Sequence, residues 1–123
     1  MKNLFTGLII SCLLTACASD EISIPASDFN LAKNETFKIN LASNPTTGYS
    51  WKWTNKSNIN IVDTLKVDYV MNNTDPNIVG GGGTEIWNFK AIKSGTKILK
   101  FEYCRSWENN STVETKTFVV NVK

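Results

Sequence analysis

The chain has 123 residues, 41% of them hydrophobic and 20% charged, with a formal net charge of +2. That is the composition of one globular domain with its own core, and its singly scattered lysines form no basic stripe for a nucleic acid. The complete absence of histidine removes Ser-His-Asp and Cys-His catalysis, His-ligated zinc and the HExxH peptidases together.

No Asp/Glu constellation stands out either, so the chain reads as a protein that is not an enzyme. It is expected to have no catalytic residues, no metal and no cofactor.

The first residues have the form of an export signal. Lys2 supplies a short positive start, and residues 4–14 are mostly apolar but too few to span a bilayer. The run ends in Leu14-Thr15-Ala16-Cys17, which resembles the lipobox of bacterial lipoproteins. That resemblance implies a signal peptide over residues 1–16, a lipid on Cys17, and a single domain over 17–123 joined by a short tether. An ordinary secretory signal cut near Ala18 is the alternative. Acyl chains on Cys17 would hold the domain at the membrane of the bacterial cell envelope, outside the cytoplasm. Ala18, directly after the cysteine, favours the outer membrane if the cell is Gram-negative. Cys12 leaves with the signal and Cys17 carries lipid, so Cys104 stands alone and no internal disulfide is expected. The Asn-x-Ser/Thr triplets at Asn34, Asn55, Asn72, Asn109 and Asn110 read as surface turns of an asparagine-rich chain.

The rest reads as strands. Residues 21–24 form a weak first one. Residues 37–41 alternate apolar and polar with period two, as a half-buried strand does, and Tyr49, Trp51 and Trp53 alternate likewise with Ser50 and Lys52. Residues 59–62 and 65–70 look like two shorter strands split near Asp63. Trp87, Phe89 and Ala91 share one face of a strand over 85–92. Leu99, Phe101 and Tyr103 do the same over 97–104, and Phe118, Val120 and Val122 over 113–122. No stretch keeps a 3.6-residue period for three turns. The pattern predicts an all-β, immunoglobulin-like antiparallel β-sandwich, and a monomer. Trp51, Trp53 and Trp87 read as core or sheet surface; the alternative is a surface β-sandwich that binds glycans or an adhesion partner with Trp51, Trp53 or Trp107 as stacking platforms.

Three connections are unusual. In Asn44-Pro45-Thr46-Thr47-Gly48-Tyr49, Pro45 fixes φ and Gly48 permits φ > 0, so the loop presents a stiff tip of two small hydroxyl residues. Residues 72–84 end in Ile78-Val79-Gly80-Gly81-Gly82-Gly83-Thr84, two apolar residues on a polar loop and four glycines that are costly to order. Such glycines suit a place where another backbone comes very close; a flexible linker is the alternative. Arg105-Ser106-Trp107 places the single arginine beside a tryptophan that no strand pattern would bury, and both residue types are enriched at interface hot spots. With strands before and after each connection, parity puts all three at the same end of the sandwich.

These three motifs resemble, in order and spacing across the mature domain, the signature loops of the chagasin-type inhibitors of cysteine peptidases. The first matches fully, and the second fits the family's Gly-x-Gly-Gly form through Gly80, Gly82 and Gly83. The third departs from it, with Ser106 where the family usually has proline. The resemblance implies an immunoglobulin-like domain that reversibly blocks papain-family cysteine proteases. Thr46 and Thr47 would lie over the catalytic cysteine, the glycine arm with Ile78 or Val79 would run along the non-primed subsites, and Arg105 and Trp107 would pack on the primed side.

Overall fold

The structure, a computed structural model, describes residues 26–73, 75–77 and 80–123. The export signal, Cys17, the weak strand at 21–24, and Ile78 and Val79 of the second loop lie outside the described residues. Seven strands follow one another: β1 (Phe29–Leu31), β2 (Thr36–Ser43), β3 (Ser50–Trp53), β4 (Val62–Met71), β5 (Gly83–Ala91), β6 (Gly95–Cys104) and β7 (Glu114–Val122). They build a four-stranded sheet in the order β1-β7-β6-β3 and a three-stranded sheet in the order β2-β5-β4. The result is an immunoglobulin-like β-sandwich.

Side-chain alternation dictates this arrangement. Along β2, Phe37, Ile39, Leu41 and Ser43 are buried while every residue between them is exposed, as a strand with one face on a core requires. In the register of β2 with β5, Phe37 lies opposite Phe89 and Ile39 opposite Trp87, so the apolar face continues across the sheet. The two sheets meet through aromatic rings. Trp53 approaches Phe89 edge-on with centroids 5.2 Å apart, and Trp87 approaches Phe101 at 5.1 Å in the same manner, the geometry that aromatic quadrupoles favour. Trp51 and Trp53 are only 4% and 7% exposed, so both are core. That removes them as stacking platforms for a glycan.

Two expectations are corrected. Residues 59–62 and 65–70 do not form two strands: β4 is one strand of 10 residues with a register irregularity between Thr64 and Lys66. Val62 pairs with Ala91 and Val67 with Trp87, which puts residues of opposite parity on the same face. The bulge takes up that one-residue slip, and in the sequence the slip looks like a break. The second correction is β1, which pairs parallel with β7, Phe29 opposite Val120. Every other strand pair is antiparallel. Three residues with one alternation are too short a signal for a period count to find.

Consecutive strands β2 and β3 belong to different sheets, so residues 44–49 cross from one sheet to the other. The β4–β5 and β6–β7 connections emerge beside this crossing. The core beneath it governs stability. Phe89 is fully buried and touches Phe37, Trp53, Trp87 and Phe101. Phe89→Ala is expected to cost about 3–5 kcal/mol, measured as a fall in the urea midpoint at unchanged slope.

Candidate functional site at the loop end

The first loop is one turn of 3₁₀ helix over Pro45–Thr47, opened by Asn44 and closed by Gly48. Asparagine is a favoured N-cap and proline suits the first helical position, where no N–H is needed. Here Asn44 Oδ1 accepts from the Thr46 N–H at 3.3 Å and from the Thr46 hydroxyl. The Thr47 hydroxyl donates back to the Asn44 carbonyl at 2.6 Å. Gly48 has φ +80° and donates its N–H to the Pro45 carbonyl at 3.0 Å. The tip is therefore closed on itself.

Asn44 also joins the tip to its surroundings. Its backbone N–H donates to the Tyr103 hydroxyl at 2.8 Å, and its Nδ2 donates to the Gly80 carbonyl at 3.1 Å. The Tyr103 ring is itself held between Tyr49 and Trp51, with centroids 5.4 and 5.1 Å away. Lower down, the buried Glu85 carboxylate accepts the Trp51 N–H at 3.1 Å and ties the edge strand β3 to the opposite sheet.

The third loop closes on the tip from the other side. The Arg105 guanidinium lies over the Tyr49 ring at 4.6 Å, and its Nε donates to the Thr47 carbonyl at 3.4 Å. The Trp107 indole covers Gly48 so closely that a Cβ there would stand 2.6 Å from Trp107 Cη2. Trp107 nonetheless keeps 68% of its surface exposed. The Glu108 N–H donates to the Arg105 carbonyl at 3.1 Å, which makes Ser106 the second residue of a β-turn. That position favours proline. In its absence the Ser111 hydroxyl accepts from the Arg105 N–H at 3.0 Å and donates to the Arg105 or Glu108 carbonyl. This clasp holds the loop.

The second loop is brought to the tip at Gly80, which has φ +81° and lies beside Thr46. The structure divides the expected site here. Gly80, Gly81 and Gly82 precede the strand, whereas Gly83 and Thr84 are its first two residues, opposite Ser43 and Ala42. Gly83 is buried, and a Cβ on it would collide with the Tyr69 hydroxyl and the Val70 carbonyl. The glycine at this position makes room for the chain's own Tyr69 side chain and Val70 backbone. Thus Asn44, Pro45, Thr46, Thr47, Gly48, Tyr49, Gly80, Arg105 and Trp107 meet at one end. Tyr103, Glu85 and Ser111 support them and are not evident from motif reading. Glu85 alone carries a signal: a carboxylate on the same face as Trp87 and Phe89.

Among the described residues no three cysteine, acidic or histidine side chains gather as a metal-binding group. What the described loop residues offer is a hydrogen-bonded tip with an exposed indole and a stacked guanidinium. Comparison with known proteins then decides the family. The model described as "Chagasin family peptidase inhibitor I42" matches residues 30–122. The chain belongs to the chagasin family. Amoebiasin-1 of Entamoeba histolytica is 34% identical over 98 residues, covering 76% of this chain and 87% of that protein. Chagasin of Trypanosoma cruzi is 31% identical over 96 residues, covering 76% and 84%. The two-sheet unit thus makes up most of those chagasin-family relatives and stands there as a protein of its own. The crystal structure of a cysteine protease inhibitor from Entamoeba histolytica shares the fold, with a TM-score of 0.64 at 24% identity over 78% of this chain and 88% of that one.

Substituting Gly48 tests whether the chagasin-family tip is seated by Trp107. Gly48→Ala forces a side chain into the left-handed region and against the indole. A stability loss of about 1–3 kcal/mol is expected, with a shift in tryptophan emission as Trp107 leaves its seat.

Proposed function

We propose that this domain is a reversible protein inhibitor of papain-like cysteine proteases that occludes the active-site cleft with its three loops. Membership of a peptidase-inhibitor family supports the reading. The observation that carries it is Asn44 bonded to Gly80 on one side of the tip, with Arg105 and Trp107 closed on the other. Three separate segments thereby become one edge before any protease is met. Preorganisation of this kind lowers the ordering cost that otherwise subtracts from affinity.

The same geometry accounts for inhibition without cleavage. A protease attacks a carbonyl presented by an extended strand, and here the tip is a helical turn in which three of the carbonyls already have partners. The Asn44 carbonyl accepts from Thr47, the Pro45 carbonyl from Gly48, and the Thr47 carbonyl from Arg105. Thr46 and Thr47 lie over the catalytic cysteine in this reading. The glycine arm with Ile78 and Val79 follows the non-primed side, and Arg105 and Trp107 rest on the primed side. An interface of roughly 1,600 Å² is expected for a complex of this class. Of the three tryptophans a glycan platform could use, Trp51 and Trp53 are buried and only Trp107 is exposed.

Placement at the bacterial cell envelope through a lipid on Cys17 belongs to the same proposal and is supported by the Leu14-Thr15-Ala16-Cys17 motif. Ala18 favours the outer membrane of a Gram-negative cell. Cys17→Ser is expected to move the protein from the membrane fraction to the soluble fraction, and unchanged partitioning would remove the anchor.

Titrating residues 19–123 against papain and a cathepsin L-like protease is expected to give inhibition at submicromolar concentration. No inhibition at micromolar concentration across several such proteases would end the proposal. Trp107→Ala is expected to weaken inhibition by more than about 2 kcal/mol, and a loss under about 0.5 kcal/mol would show that this arm is not an anchor. Ser106→Pro, at a turn position suited to proline, is expected to tighten inhibition by up to about 1 kcal/mol.

A further inference from the structure

We propose that the free edge of β4 is a self-association surface, on which a second copy of this domain pairs antiparallel about a two-fold axis at Val67. Where the sequence alone suggests a monomer, the edge shows why a dimer fits. β4 is an outer strand of its sheet, and an edge that long is normally blunted by proline, charge or bulges. Here the bulge lies between Thr64 and Lys66 and protects only the first half. From Lys66 to Met71 the pairing with β5 is regular, and no proline interrupts it. Leu65, Val67, Tyr69, Val70 and Met71 are between 40% and 55% exposed. The opposite edge strand of the same sheet, β2, exposes Thr36, Lys38 and Asn40 instead.

The backbone of this half is positioned to pair. The Asn72 N–H donates to the Gly82 carbonyl at 3.0 Å, toward β5. Main-chain groups alternate in direction along an antiparallel strand. Those of Val70, Asp68 and Lys66 therefore also face β5, and those of Met71, Tyr69 and Val67 face outward. A two-fold axis at Val67 lets two copies of Val67 exchange both N–H···O bonds. The merged sheet then has six strands.

Charge selects the register. Lys66 and Asp68 flank Val67 and share one face, with Nζ and Oδ2 3.2 Å apart. Antiparallel pairing centred on Val67 places Lys66 of each copy across from Asp68 of the other, two opposite-charge pairs from one sequence. Sliding the axis to Asp68 or to Lys66 sets like charges directly opposite, which is destabilising. A two-fold, isologous contact makes this Lys66–Asp68 pairing twice. Because the strands run antiparallel, the two loop ends point in opposite directions and neither covers the other. The inference therefore stands apart from the protease reading.

Sedimentation equilibrium of residues 19–123, from micromolar to millimolar concentration, tests it. The domain is expected to dimerise with rising concentration. Asp68→Lys is expected to weaken the dimer about tenfold by making both cross-pairs repulsive, and adding Lys66→Asp to it is expected to restore association. Val67→Pro removes only an outward N–H, which an edge strand tolerates, and is expected to abolish the dimer while far-ultraviolet circular dichroism stays unchanged. A monomer at all concentrations overturns the proposal. So does a dimer indifferent to both Asp68→Lys and Val67→Pro.

Discussion

Asn44 donates its backbone N–H to the hydroxyl of Tyr103 and its side-chain amide to the carbonyl of Gly80, while its own side-chain oxygen caps the turn that follows. One residue thus anchors the tip to the four-stranded sheet, to the glycine arm and to itself. The remaining contacts of the loop end are arranged around that anchor. Tyr49 stacks beneath Arg105, Arg105 reaches the Thr47 carbonyl, and Trp107 lies on Gly48. Were the tip free to unwind, none of these would have a fixed surface to meet.

The anchor works because of what lies below it. Tyr103 holds its hydroxyl in place only because its ring is wedged between Tyr49 and Trp51, and Trp51 in turn is buried and held by Glu85. The Trp51 indole N–H also donates to the Ala42 carbonyl at 2.8 Å, so the strands on either side of the tip are stitched together just beneath it. The sandwich core and the loop end are therefore one continuous packing problem. Ordinary hydrogen bonds contribute only about 1 kcal/mol each, so the rigidity comes from their number on a short segment, not from any single strong contact.

Much of this was legible in the sequence. Alternation gave the strands β2, β3, β5, β6 and β7 to within a few residues, and parity alone placed the three loops together. What escaped did so for physical reasons. The bulge in β4 changes which face carries the apolar residues, so a period count sees two strands. The parallel strand β1 is too short to have a period. Tyr103 looked like one more apolar position on a strand, because its partner Asn44 is 59 residues away. Ser111 sits in a polar run where nothing marks one hydroxyl above another. The close approach expected of the glycines is met at Gly83 from within the domain, by the Val70 carbonyl and the Tyr69 hydroxyl, strand neighbours that no motif encodes.

The parallel pairing of β1 with β7 has a consequence for how the domain is made. The Val119 N–H donates to the Asp28 carboxylate at 2.7 Å across 91 residues of chain, and among the described residues β1 has no other neighbour in its sheet. The first described strand to emerge thus has no partner until the last one has followed it. Contacts of such sequence separation form late, because the closure entropy of the whole intervening chain must be met first. The edge of the four-stranded sheet at β1 therefore closes last, after β6 and β7 have paired, and the two ends of the described chain lock the sandwich only when it is otherwise assembled.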